Sequence, residues 1–420
     1  MNSKSHPKTL LLVGSKPGAG TVGEILIREM LNCVDPQRYV IAAMLRTDEA
    51  QDTGGTVSPR MKTFLAPREA EGVAFGRFTR LRNAGRRLIF YERDIAALTR
   101  EVEVFAKQEG IQRVWAILNM TSVIDVADRL RPRLKVPVLA HVWDDVDHLT
   151  QQRNLDAATR SRTRKRFSRL LQHAQKTAVI CEAMQQAYET QHGAKCQIVR
   201  HGLSDDVVAQ AKPTSSREFR IGFSGGMYAP SAWKTLLEAL NLLGWRVNHK
   251  RIRFVVMSSH VRFTAQAPAN IEFLGWRDTA EVARQLSACD LLYLPQPFET
   301  HHDAIAQLSF PTKMSAYANV GRPILVHTPT YGSLSKFYQQ YPVGGLCQEL
   351  KAEKIAAIIR TLAEDEAAYG KAAEAVAQVA MNVLSRSQFE QQVRSFLQQS
   401  SAVECSGPQR QFTAHSQELV

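Results

Sequence analysis

Three stretches of this 420-residue chain hold residue types that could do chemistry. The first is LSFPTKMSAYANVGRPILVH, Leu308 to His327. Ser309, Thr312 and Lys313 fall together where a helix should begin, with Ser309 or Thr312 as its cap and Pro311 in its first turn. Unpaired backbone N–H groups, hydroxyls and an ammonium at one helix start suit an anionic phosphate. Each charged hydrogen bond of that kind is worth about 1.5–3 kcal/mol. The competing reading is an ordinary capped helix with a solvated lysine. The second stretch is HVWDDVDH, His141 to His148, which follows the apolar run 136–140. Open α/β sheets place ligands just past the carboxyl ends of their strands. A histidine or carboxylate there can take a proton from a hydroxyl within hydrogen-bond reach. The acids could instead cap the next helix. The third stretch is GSKPGAGTVG, Gly14 to Gly23. No lysine follows Gly20, so it is not a P-loop. Gly18 to Gly23 fits G-x-G-x-x-G formally, and Asp48 lies near the end of the next strand, so a dinucleotide fold is one reading and a tight turn the other. Either way, Gly18 and Gly20 let the backbone approach a phosphate or sugar closely.

These stretches need elements to hold them. In the first, Met314, Tyr317 and Ala318 share one helical face, Gly321 sits where a helix ends left-handed, and 323–326 reads as a buried strand. Strand and helix patterns alternate before it: strand 10–13, helix 24–31, strand YVIAAML, strand 114–118, helix 124–130, strands 136–140 and 177–180, helix 183–191, strand 197–199. After a Pro/Ser-rich linker, KPTSSR, the alternation restarts with strand 219–223 and SGGMYAPSAWKTLLEAL. Two strand–glycine–helix units, one on each side of a linker, predict two Rossmann-like domains. Further strands are expected at 253–257, 271–274 and 291–294, and helices at 352–362, 367–383 and 387–397.

Composition bounds the rest. The net charge is +13 and the pI about 9.6. The first 210 residues hold 32 Lys and Arg against 23 Asp and Glu, leaving an excess of only +4 for the remainder. That asymmetry suits an anionic membrane surface, whereas no interleaved aromatic and basic motif points to nucleic acid. The Arg-rich stretch from Gly76 to Arg93 reads either as a basic amphipathic helix pair at a membrane or as a solvated face. RSRTRKRFSR, Arg160 to Arg169, reads as a solvated helix face. The six cysteines are scattered without C-x-x-C spacing, which points to a reducing compartment and no structural zinc. Adjacent His301 and His302 make no metal pair, so no metal is expected. No run reaches the roughly 18–20 apolar residues of a spanning helix, and the N-terminus reads as lacking a secretory signal. The expected location is the cytoplasm, at the inner face of the cell membrane. The tail from Ser400 reads as disordered.

The pattern S-F-P-T-K, an aromatic four residues on, then G-R-P-I-L resembles the donor-site helix of GT-B glycosyltransferases related to the family 4 type. The order of elements fits that resemblance along nearly the whole chain. It implies an α/β fold of two facing Rossmann-like domains with a deep interdomain cleft. Residues 1–211 would bind the acceptor, 212–218 link, 219–385 bind a nucleotide-sugar, and 386–399 cross back over the domains, with 400–420 as the tail. It implies sugar transfer from a nucleotide-sugar donor to a saccharide or lipid-linked saccharide, in cell-surface polysaccharide biosynthesis, with neither cofactor nor metal. Ser309, Thr312, Lys313 and the helix start would hold the diphosphate, with Gly18 and Gly20 closing over it and Tyr317 also in the donor site. The family often has an arginine and a lysine in the second glycine turn and helix; Gly225-Gly226 stands at the arginine position and Lys234 could stand for the lysine. Trp276 and Arg277, after Gly275, would contact the base. His141 or Asp144 would orient or deprotonate the acceptor hydroxyl, with Asp145 and Asp147 as alternatives. The chain also departs from the family. The usual glutamate pair with seven residues between is missing, with Leu308 and Ala316 at those positions, and His201-Gly202 replaces Asn-Gly. A sugar-nucleotide epimerase of the same architecture, an NAD(P)-dependent enzyme and a non-catalytic sugar-binding relative therefore stay open, as does retention against inversion.

Overall fold

The computed structural model describes residues 7–18, 20–46, 60–67, 77–202, 217–258 and 267–398, with backbone alone at 77–88. Asp48, most of the expected linker, the side chains of Arg77, Arg80, Arg82, Arg86 and Arg87 and the tail from Ser400 lie outside the described residues.

The first sheet holds seven parallel strands: β1 (Thr9–Val13), β2 (Tyr39–Leu45), β3 (Met61–Leu65), β4 (Arg113–Ile117), β5 (Val138–His141), β6 (Lys176–Val179) and β7 (Cys196–Ile198), in the order β3-β2-β1-β4-β5-β6-β7. β1, β2, β4 and β5 are buried along their length, as continuous apolar runs in a covered parallel sheet must be. Its helices are α1 (Val22–Asn32), α2 (Arg77–Gln108), α3 (Thr121–Leu134), α4 (Val146–Gln152), α5 (Ala157–His173) and α6 (Glu182–His192). The second sheet is built from β8 (Glu218–Ser224), β9 (Arg246–Val247), β10 (Lys250–Met257), β11 (Ile271–Phe273), β12 (Leu291–Pro295), β13 (Ile324–His327) and β14 (Gly344–Cys347). Its parallel order is β11-β10-β8-β12-β13-β14, with β9 antiparallel on β10. Around it lie α7 (Pro230–Leu242), α8 (Thr279–Ser287), α9 (Asp303–Leu308), α10 (Thr312–Asn319), α11 (Ser333–Gln340), α12 (Ala352–Glu364) and α13 (Glu366–Asn382). Strand order reverses between β1 and β4 in one sheet and between β8 and β12 in the other. Both glycine turns follow the first strand of their sheet, at those switch points, where doubly wound sheets bind ligands.

The last helix, α14 (Arg386–Leu397), returns to the first sheet. Its Phe389, Val393, Phe396 and Leu397 join Leu11, Val13 and Trp115 in one apolar cluster. Its C-terminal carbonyls take hydrogen bonds from buried Arg113 (to Leu397 O) and from Lys176 (to Ser395 O, 3.2 Å, and Gln398 O, 3.1 Å). Two cations at a helix C-terminus complement its dipole and fix where the helix docks. The chain therefore crosses between the sheets twice, after β7 and before α14. The crossings touch: a Cβ on Gly202 would overlap the Ser385 carbonyl.

Two expectations from the basic stretches need correction. Residues 77–108 form one continuous 32-residue helix rather than a pair. The run from Arg160 to Arg169 is only partly a solvated face. Arg162 and Arg166 reach fully buried Asp125 at 3.4 and 3.0 Å and share Glu92 of α2, while Arg169 pairs with Asp128 of α3. The run staples α5 to α2 and α3, so part of the basic excess is neutralised internally. β3 and α9 had no clear periodic signal. β3 is a mostly exposed edge strand with polar Lys62 and Thr63, and α9 is six residues long inside what reads as a loop.

Candidate active site

A cavity of about 500 Å³ lies between the carboxyl ends of the two sheets. The second domain contributes Tyr228 and the start of α10, from Ser309 to Lys313. The first contributes α1, the segment after β5 and Arg200-His201 after β7, and Phe389 of α14 closes the floor. This is the interdomain cleft.

The α10 start differs from the expected cap. Pro311 is the N-cap residue and, having no hydroxyl, makes no side-chain cap bond; Thr312 is already the first helical residue. The helix opens toward the cavity without a capping side chain. Ser309 is held through its backbone carbonyl, which accepts from Ser333 Oγ. Buried Gln296 ties Ser333, Thr328 and the Leu334 N–H into the same support (3.1, 2.7 and 3.4 Å). Lys313 turns back over the second glycine turn. Its Nζ donates to Gly226 O at 2.9 Å and stands 4.8 and 4.6 Å from the ring centres of Phe223 and Tyr228. Gly225 makes this possible: its φ of +94° suits glycine, and a Cβ there would lie 2.6 Å from Lys313 Cε. No ion pair among the described residues involves Lys313, and burial lowers its ammonium pKa from 10.5 to about 7.

The opposite wall is the end of β5. His141 is 2% exposed, stacked on Trp115 with ring centres 6.1 Å apart, and its Nδ1 has no partner among the described residues. Burial drives its pKa down to about 3, so it is a neutral imidazole that can orient a hydroxyl but is a weak base. Asp144 also lines the cavity with its side chain open to solvent, and the partial loss of water among the cleft walls, with the neighbouring Asp145 carboxylate, raises its pKa against the opposing pull of His148. A carboxylate with a raised pKa is the stronger proton acceptor of the two. Asp145 is structural: it caps α4 by accepting from Asp147 N (2.8 Å) and takes the Tyr188 hydroxyl (3.0 Å).

The first glycine turn is closed by its own helix. Thr21 caps α1, and Glu24 reaches back so that its carboxylate accepts from Gly20 N at 3.0 Å. A Cβ on Gly18 would meet the same carboxylate at 2.6 Å. The position a dinucleotide pyrophosphate would take at this turn thus holds an acid. Gly20 faces a neighbouring groove, together with Trp276 and Arg277. Trp276 is 69% exposed rather than packed in the core. This groove and the cavity share Val22 and Phe389, so they are two lobes of one cleft.

Five expected ligand contacts do not line the cleft: Gly18, Gly225, Gly226, Lys234 and Tyr317. Lys234 projects to solvent from α7, 80% exposed at the side chain and 3.9 Å from Glu238. Tyr317 is fully buried behind α10, and its hydroxyl accepts from Ser224 N at 2.9 Å. It joins α10 to the end of β8 and so positions Lys313 without meeting the cavity. Conversely, Phe223, Tyr228 and His201 shape the site, although only His201 stood out in the sequence, as a departure from Asn-Gly. Among the described residues no group of three His, Cys, Asp or Glu is placed to hold a metal.

No family profile matches the chain, and no curated protein matches it. Solved structures do. The chain is similar to HepE of Anabaena in complex with UDP (17% identity, TM-score 0.63, covering 93% of this chain and 99% of that one). It is also similar to sucrose-phosphate synthase of Thermosynechococcus elongatus (13%, 0.61, 92% and 98%) and to WaaG, a glycosyltransferase involved in lipopolysaccharide biosynthesis (12%, 0.55, 92% and 99%). These likenesses span both sheets and show the GT-B fold.

Proposed function

We propose that this GT-B protein is a glycosyltransferase that takes a sugar from a nucleotide-sugar donor held by the second domain. One observation carries the reading. An uncapped helix start and an unpaired, aromatic-caged Lys313 face, across a single cavity, a neutral histidine and a carboxylate of raised pKa at the end of the opposite sheet. The first set suits a diphosphate leaving group and the second a nucleophilic hydroxyl. Lys313 and the α10 N–H groups would stabilise charge as it develops on the departing phosphate. Asp144 would receive the acceptor proton, with His141 orienting the hydroxyl. The exposed ring of Trp276, in the adjoining lobe, would stack on the base.

The acceptor in this reading is a saccharide or a lipid-linked saccharide met by the first domain. The basic excess of that half favours a membrane-side acceptor, and Ile89 and Phe90, exposed beside Arg93 on α2, agree with surface contact. No helix among the described residues is long and apolar enough to cross a membrane. UDP is the natural first probe, since HepE was solved with UDP and with UDP-glucose.

A thermal-shift screen with UDP, GDP, ADP, UDP-glucose, GDP-mannose and NAD(P) tests the proposal. A nucleoside diphosphate at 100 times its Kd adds about 2.7 kcal/mol of stability. Stabilisation by one nucleoside diphosphate, lost in Lys313→Met, is the expected result. Stabilisation by NAD(P) alone would overturn it. Conversion of the nucleotide-sugar to an isomer without an acceptor would reassign the site to an epimerase.

A further inference from the structure

The floor of the cavity has a chemistry of its own. Leu26 and Met30 of α1, Val199 after β7 and Phe389 of α14 are all buried there. Set among them are two imidazoles with unused hydrogen-bonding capacity. Both ring nitrogens of His201 are buried without a partner among the described residues, as is Nδ1 of His141. Phe389 packs edge-on against His201, with ring centres 5.3 Å apart. Buried polar groups in native proteins are nearly always satisfied, so an orphaned pair on a cavity wall marks a place where a ligand or water completes the bonding. The floor also lacks a free charge. Arg200, the other cation lining the cavity besides Lys313, is paired with Glu182 at 2.6 Å. Burial keeps both imidazoles neutral at physiological pH, each pKa falling to about 3. A phosphate or carboxylate would find no counter-charge there, and a fully hydroxylated sugar would leave most of its hydroxyls against hydrocarbon.

We infer that this floor is an acceptor subsite for an uncharged, amphipathic alcohol, whose hydroxyl bonds to His201 and whose apolar body packs on Leu26, Met30, Val199 and Phe389. The inference rests on the glycosyltransferase reading for the word acceptor, and it names the acceptor class. His201 is a specificity residue in this account. It is also tied to the donor side: its backbone carbonyl accepts from Ser315 Oγ of α10 at 2.6 Å. An alcohol seated against the His201 ring is therefore linked through that residue's backbone to the helix that carries Lys313.

Ligand-observed NMR with three small probes, on the full chain, tests this. Benzyl alcohol offers a hydroxyl and an apolar body, toluene only the body, and glycerol only hydroxyls. Benzyl alcohol should bind at least tenfold tighter than toluene, and glycerol should not bind at 10 mM. In His201→Leu the benzyl alcohol preference should fall to within twofold, and His201→Gln should restore most of it. Met30→Gln should weaken benzyl alcohol and toluene alike, at least fivefold. Equal binding of glycerol and benzyl alcohol, or a His201→Leu protein that keeps the full preference, would overturn the inference. Displacement of benzyl alcohol by UDP-N-acetylglucosamine but not by UDP would assign the floor to the donor's sugar and overturn it too. Lys313→Met separates the two readings. Loss of UDP binding with benzyl alcohol retained is expected; UDP binding without any benzyl alcohol binding refutes the floor assignment alone, and benzyl alcohol binding without UDP binding in the unaltered protein refutes the donor reading alone.

Discussion

Replacing Lys313 with methionine should stabilise the empty protein and weaken its nucleotide affinity. Methionine keeps the apolar stem but lacks the Nζ that stands over Phe223 and Tyr228, and so loses the charge. In the folded state the ammonium pKa falls from 10.5 to about 7 because burial removes water and no carboxylate replaces it. Unfolded protein therefore binds more protons here than folded protein between pH 7 and 10.5, and stability rises with pH across that window. The full cost of the buried charge is present below pH 7 and fades as pH approaches 10.5. Lys313→Met should accordingly raise the melting temperature most at pH 6 and least at pH 10. Binding runs the other way. A diphosphate needs the protonated amine, which is about half populated at pH 7 and near one in a hundred at pH 9. UDP affinity should fall about 50-fold between those values, and roughly half a proton should be taken up per UDP bound at pH 7. Loss of the charged contacts in Lys313→Met should cost about 1.5–3 kcal/mol, or 10- to 150-fold. Titration calorimetry in buffers of different ionisation enthalpy measures both affinity and proton uptake. A UDP affinity that is flat from pH 7 to 9, with no proton uptake, would refute this reasoning.

Three other outcomes follow from the same geometry. Asp144→Asn should lower kcat about 10²–10⁴-fold while leaving UDP affinity within twofold in calorimetry, and His141→Ala should do less because a neutral imidazole only orients. Gly202→Ala should cost about 1–3 kcal/mol of stability in urea titrations, since its Cβ has no room beside the Ser385 carbonyl and backbone there must shift. Asp125→Ala should cost about 3–5 kcal/mol by the same measurement, because it leaves Arg162 and Arg166 short of their buried partner.

The local signals in the sequence were sufficient for the fold. Two strand–glycine–helix units and continuous apolar strands are written in short stretches, and both sheets contain them. The start of α10 was visible for the same reason: Ser309 to Lys313 are neighbours in the chain. What stayed hidden depends on distant contacts. Helical spacing puts Tyr317 on a face with Met314 but does not say that the face turns away from the cleft, where the Tyr317 hydroxyl meets Ser224. Lys234 has the right type and position along its helix, yet points to water. The aromatic cage of Lys313 comes from β8 and the turn after it, nearly 90 residues earlier. The charge of Arg162 and Arg166 looks solvated until Asp125 of another helix is placed beneath it.

A crystal structure of the protein with saturating UDP tests the central claim most directly. The account predicts the diphosphate at the start of α10, within hydrogen-bond distance of Lys313 Nζ and the first helical N–H groups, and facing His141 and Asp144. UDP bound at the Gly18–Gly20 turn, or away from α10 altogether, would contradict it.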